Sequence, residues 1–177
     1  MLDELEKLFA QAHQLRGEHR SADAKPLLVE ALALARKSEV PGDLARALTA
    51  LGQIERDLKN TQAALELYQE AVAIYHAHGD MLRLAHTVRH VGDIYREDRQ
   101  LAPAELCYQD ALKIYRTHPD TPPLDLANTL RGFALLKQEL GQRAEAKLLW
   151  TEAGKLYESV NVQAGVVESA RQIAQLS

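Results

Sequence analysis

Alanine recurs along this chain at a near-fixed interval: Ala24, Ala64, Ala104 and Ala146 stand 40, 40 and 42 residues apart. Seven residues after each comes another alanine, at Ala31, Ala71, Ala111 and Ala153. One structural unit is therefore written four times. A period of this length marks a stacked-repeat architecture, in which each unit buries its apolar face only against its neighbours. Such folds present surfaces far more often than they perform chemistry.

Between turn signals, apolar residues fall at spacings of three and four, which predicts amphipathic helices. No run alternates with the period of two that a strand requires, so the chain is expected to be all-α. The first helix covers roughly 2–16, with Leu5, Leu8, Ala12 and Leu15 inward, and the second follows Ser21. Pro41-Gly42-Asp43 breaks the chain, with Asp43 as candidate N-cap. Asn60-Thr61, Gly79-Asp80 and Gly141-Gln142 divide later helices, and Pro103 suits a first helical turn, where its missing N–H costs nothing. The segment 117–123, rich in Thr and Pro, holds the two residues that lengthen the last step. A ninth helix over 162–175 puts Val166, Ala170, Ile173 and Ala174 in the packing register, leaving Gln163, Glu168, Arg171, Gln172 and Gln175 to water. The expected organisation is one complete domain over 1–177. Its repeats run near 2–41, 42–79, 80–121 and 122–161, followed by a capping helix over 162–176.

The helices pair as A and B within each repeat. One A position reads Ala12, Gly52, Gly92, Ala134, always small. One B position reads Leu28, Tyr68, Tyr108, Trp150, always large. A small residue on A admits the B helix closely, and the bulky B residue fills the space beside it. Leu48-x-x-Leu51-Gly52 with Ala64-x-x-x-Tyr68, and Val88-x-x-Val91-Gly92-x-x-Tyr95 with Ala104-x-x-x-Tyr108, resemble the tetratricopeptide repeat. The fourth unit, Leu130-x-x-Phe133-Ala134 with Ala146-x-x-x-Trp150, departs by Ala for Gly and by Lys137 for Tyr, and the first has Gln11 at a large apolar position. The unit length looks like the longer repeats of kinesin light chains and bacterial regulatory proteins. This resemblance implies a right-handed α–α superhelix.

Composition narrows function by exclusion. The 177 residues carry a net charge of −4, which argues against whole-protein affinity for nucleic acid or anionic lipid. No stretch approaches the ~20 apolar residues of a membrane span. The start, Met-Leu-Asp-Glu-Leu-Glu, lacks the basic residues and apolar run of a secretory signal, and the single cysteine, Cys107, excludes an internal disulfide. These features fit a cytoplasmic protein. No phosphate loop, nucleophile elbow or paired carboxylates in an apolar setting is present, so no enzyme and no cofactor are expected. His86 and His90 stand four apart, a spacing zinc sites use, but no further ligand motif accompanies them and no metal site is read. The row Tyr75, Tyr115, Tyr157 reads as packing between repeats.

The resemblance implies a concave face lined by A helices and a peptide lying across it. By register, that face carries Arg46, Thr49, Gln53 and Arg56 from the second unit and His86, Arg89, Asp93 and Arg96 from the third. Asn128, Arg131, Leu135 and Gln138 come from the fourth, and Glu6, Phe9, His13 and Arg16 from the first. Two arginine rows emerge: Arg89, Arg131 and Arg171, and Arg16, Arg56 and Arg96. Forked guanidinium donors suit carboxylates, so the expected ligand is an acidic peptide segment or a free C-terminus. The competing explanation of the second row is structural, through the dipole at A-helix ends and the acidic neighbours Glu18, Asp57 and Glu97. The expected function is a protein- or peptide-binding adaptor or scaffold; the alternative is a sensor whose small peptide or metabolite ligand controls a partner protein. End-to-end pairing through an apolar patch of Leu2, Leu5 and Phe9 is a further expectation.

Overall fold

The computed structural model describes residues 2–38 and 40–176, with only the backbone at Leu2. Among these, the chain forms nine α-helices and no strand. They are α1 (Leu2–Gly17), α2 (Ser21–Ala35), α3 (Pro41–Asp57), α4 (Thr61–His78), α5 (Met81–Glu97), α6 (Leu101–Thr117), α7 (Pro123–Glu139), α8 (Arg143–Ser159) and α9 (Gln163–Gln175). Consecutive helices pack together: α1 on α2, α2 on α3, α3 on α4, α6 on α7, α7 on α8 and α8 on α9. This is the consecutive pairing of an α–α solenoid. The chain divides into two compact units, Met1–Thr87 and Val88–Ser177, with the boundary inside α5.

The alanine ladder is the spine of both units. All eight rungs, from Ala24 and Ala31 to Ala146 and Ala153, have zero solvent exposure. A methyl group there lets a neighbouring helix approach as closely as backbone contact allows. In unit 1 the core gathers Leu5, Leu8, Phe9, Leu28, Leu51 and Ile54. In unit 2 it gathers Tyr108, Leu130, Phe133, Leu136 and Tyr157. In unit 1 the small-against-large rule holds at atomic detail: a Cβ on Gly52 would lie 2.8 Å from the Tyr68 ring. In unit 2, Gly92 faces the Cys107 Cβ, which a Cβ of its own would meet at 3.0 Å.

Helix ends repeat as faithfully as helix faces. At the α1–α2 turn the N–H of Arg20 donates to Leu15 O at 2.9 Å, and that of His19 to Arg16 O at 3.0 Å. The same pair of bonds closes the turns at Lys59-Asn60, Arg99-Gln100, Gly141-Gln142 and Asn161-Val162. This is the Schellman arrangement, which puts one residue in the left-handed region. Glycine serves at Gly141, but His19, Lys59, Arg99 and Asn161 take positive φ with a side chain.

Three expectations need correction. Asp43 is not the cap of α3, which begins at Pro41 after Val40; proline is well placed at the first helical position, and Asp43 lies inside the first turn. Leu5 and Phe9 form no exposed patch, being buried against α2 and α3 residues, and the Leu2 side chain lies outside the described residues. In α9, Ala170 and Ala174 face solvent, while Gly165 and Ser169 are buried. The cause is proximity: a Cβ on Gly165 would lie 2.4 Å from Tyr157, and one on Gly154 would lie 3.1 Å from Ser169. The small residues on both sides let α9 close onto α8.

Candidate functional site

In unit 1 the A-helix side chains engage one another across successive A helices. Arg46 on α3 forks onto the Glu6 carboxylate of α1, one bond measuring 3.1 Å. Its guanidinium also lies 4.1 Å from the centroid of the Phe9 ring, a cation–π contact that holds the fork flat. The hydrogen bond from Arg46 is the main reason the Glu6 carboxyl stays below its usual range. Arg16 donates from Nε to Asp57 of α3 at 2.7 Å. Gln53 Nε2 sits 3.4 Å from His86 Nε2 on α5. Thr49 is buried, and its hydroxyl donates to Ala45 O at 2.8 Å. Arg56 is half-buried and has partners of its own.

Unit 2 uses the same device with more burial. Arg131 on α7 forks onto Glu168 of α9, with bonds of 2.7 and 2.8 Å. That hydrogen bonding raises the Arg131 pKa against the desolvation that opposes it. Arg96 on α5 reaches Glu139 of α7 at 2.8 Å. Arg89 is buried, donating to Asp93 at 2.9 Å and lying 2.8 Å from the His90 Nε2. Asp93 in turn accepts from the Tyr108 hydroxyl at 2.7 Å. Asn128 accepts from the Tyr157 hydroxyl at 2.8 Å. Gln138 accepts from Trp150 Nε1 and donates to Gln172, both at 2.9 Å. Arg171 is exposed and holds no carboxylate among the described residues.

Burial separates the arginines by role. The Arg89 side chain is 10% exposed and that of Arg96 17%, so both ion pairs are largely internal to unit 2. Arg46 and Arg131 are each 41% exposed. Their forks are preorganised, carry a carboxylate and remain open to solvent on one side. Register alone puts the arginines on the A helices, and the neighbouring sequence offers Glu18, Asp57 and Glu97 as acidic partners. For Arg46 and Arg16 the partner lies one repeat away, at Glu6 and at Asp57, whereas Arg89 pairs with Asp93 four residues along its own helix. A search for opposite charges one period apart is the signal that reveals the first two.

Among the described residues, no cluster of three or more His, Cys, Asp or Glu side chains offers a metal site. No described helix is long and apolar enough to cross a membrane.

Residues 3–77 match the tetratricopeptide repeat family model. No curated protein matches the sequence. Among solved structures, BtubC (BKLC) from P. vanneervenii is similar with a TM-score of 0.73 and 18% identity, over 97% of this chain and 80% of that one. A proposed kinesin light chain of Podosopora anserina with nearly identical TPR-like repeats gives a TM-score of 0.69 and 16% identity, covering 97% of this chain and 94% of the other. A substituted variant of that same repeat protein gives a TM-score of 0.69 and 15% identity, with 97% and 93% covered.

Proposed function

We propose that this tetratricopeptide-repeat protein, structurally similar to kinesin light chain repeat domains, is a peptide-binding adaptor whose A-helix faces take carboxylates of acidic segments or a free C-terminus. The fold is one associated with protein binding; the ligand class is our own reading. One observation carries it: Arg46 and Arg131 hold carboxylates in forked geometry while each stays 41% exposed. Glu6 and Glu168 then act as internal stand-ins for a ligand carboxylate, and binding is an exchange of one carboxylate for another. Because an exposed ion pair is worth about 0–1 kcal/mol, displacing Glu6 costs little. The ligand's further contacts then decide affinity. Gln53 and His86 in unit 1, and Asn128 in unit 2, all half-buried, supply polar specificity.

The test is fluorescence anisotropy with an acidic peptide bearing a free C-terminus, against its amidated form. Arg46→Gln combined with Arg131→Gln weakens binding at least tenfold, and Glu6→Gln with Glu168→Gln strengthens it. Undiminished binding by the double arginine variant would overturn the reading.

A further inference from the structure

We infer that unit 1 carries a second, separate binding site, for a phosphate monoester, at the turn joining α1 to α2. A surface cleft of about 640 Å³ opens there, bounded by the end of α1, the start of α2 and the α3–α4 turn. Its charged lining is Arg16, Arg20 and Lys59 with the imidazoles of His13 and His19, against a single carboxylate, Asp57. The lining includes neither Arg46 nor Glu6, so the cleft is distinct from the Arg46 fork.

The donors at this cleft are only partly used. Arg16 places its Nε on Asp57, which also accepts from the Ser21 hydroxyl at 3.2 Å. Both Arg16 Nη groups therefore keep their N–H donors, the forked edge that best fits an oxyanion. Arg20 commits Nε to Asp23 and Nη1 to Glu18, keeping Nη2. The side chains of Lys59, His13 and His19 make no hydrogen bond or ion pair among the described residues. The N-terminus of α2, which no side chain caps, opens on the same cleft and adds the positive end of a helix dipole.

The corresponding turn of unit 2 shows that packing does not require this set. There Arg96 and Arg99 both close on Glu139, at 2.8 and 3.2 Å, so the cations are engaged internally. By register, Gly141 stands where unit 1 has Lys59, Gln100 where it has Arg20, and Asp93 where it has His13. The extra basic groups belong to unit 1 alone.

The donor set selects the ligand class. A phosphate monoester brings a charge of about −1.5 to −2 and three strong acceptor oxygens, enough to meet Arg16, Arg20 and Lys59 together. A lone carboxylate offers two oxygens and one charge. The cleft also leaves room for whatever bears the phosphate.

The experiment is an amide NMR titration of the full chain with inorganic phosphate and, separately, a peptide carrying one phosphoserine, each at ionic strength matched with chloride. Saturable shifts are expected in residues 13–22 and 57–59. Lys59→Gln with Arg20→Gln weakens binding at least tenfold, whereas Arg99→Gln leaves it unchanged. Tighter binding of the phosphopeptide identifies a phosphorylated protein segment as the source, and equal binding a small phosphorylated molecule; both support the site. Shifts that chloride reproduces, or undiminished binding by the Lys59/Arg20 variant, would overturn it. The variant Arg46→Gln with Arg131→Gln serves as a cross-check, since it removes the adaptor surface and leaves this cleft intact.

Discussion

Tyr108 shows how much a single side chain can organise. It is fully buried, its hydroxyl bonds Asp93, and its ring stacks on Phe133 with centroids 5.8 Å apart. Gly132 admits the ring: a Cβ there would lie 2.7 Å from it. Gly132→Val should destabilise unit 2 by about 2–3 kcal/mol through overpacking, measurable by urea unfolding, while Gly42→Ala, with open space beside it, should be nearly neutral. Cys107 gives a second residue-scale prediction. Burial, and then the nearby Asp110 charge, push its thiol up to about 11. At pH 8 its alkylation should run about a hundredfold slower than that of a free thiol, because the thiolate is the nucleophile. The unfolded chain releases this proton at lower pH than the folded one, so ionisation favours unfolding. Stability should therefore decline as pH rises from about 9 towards 11, and the Cys107→Ala variant should decline less steeply in thermal melts.

At the scale of helices, the two units share a buried ion pair with its polarity reversed. In unit 1, Lys25 on α2 bonds the buried Glu55 of α3 at 2.9 Å. In unit 2 the matching positions are Glu105 on α6 and the buried Lys137 of α7, paired at 2.7 Å. Desolvation pulls the Lys137 ammonium down, and hydrogen bonds to Glu105 and Glu145 outweigh it, leaving the pKa raised. Glu55→Ala or Lys137→Ala should each cost about 2 kcal/mol, less than a fully buried pair because one partner of each is partly exposed. Lys25→Glu with Glu55→Lys should recover most of what Glu55→Lys alone loses, as chemical denaturation would show. The periodic apolar pattern locates the nine helices of the described residues because burial imposes the period directly. Lys137 read only as a departure from tyrosine, since nothing local in sequence reveals that Glu105 lies opposite it.

For the whole molecule, legibility followed the same divide. Fold class and the ladder of buried alanines could be read from spacing alone. The candidate surface could be read only as positions, because pairing depends on which side chains two helices bring together. Arg89 and Arg131 occupy one register position, yet one is buried on Asp93 and the other is open beside Glu168. The expected ligand binding should be salt-sensitive, since the charges of an acidic peptide beyond the exchanged carboxylate meet the guanidinium field only over about 10 Å at 0.1 M salt. Raising salt from about 50 to about 300 mM should weaken acidic-peptide affinity severalfold by anisotropy, and an affinity indifferent to salt would point to an apolar contact surface instead.

The left-handed residues at the helix turns leave this chain with untapped thermal reserve. Outside asparagine, which takes that conformation readily, each non-glycine residue there carries a strain of roughly 1 kcal/mol that glycine would not. His19, Lys59 and Arg99 are therefore three independent adjustment points at which an engineer could stiffen the helix turns. Two of them, His19 and Lys59, would surrender a cleft-lining group in return, so the sturdiest version of this molecule and the most capable one are different sequences.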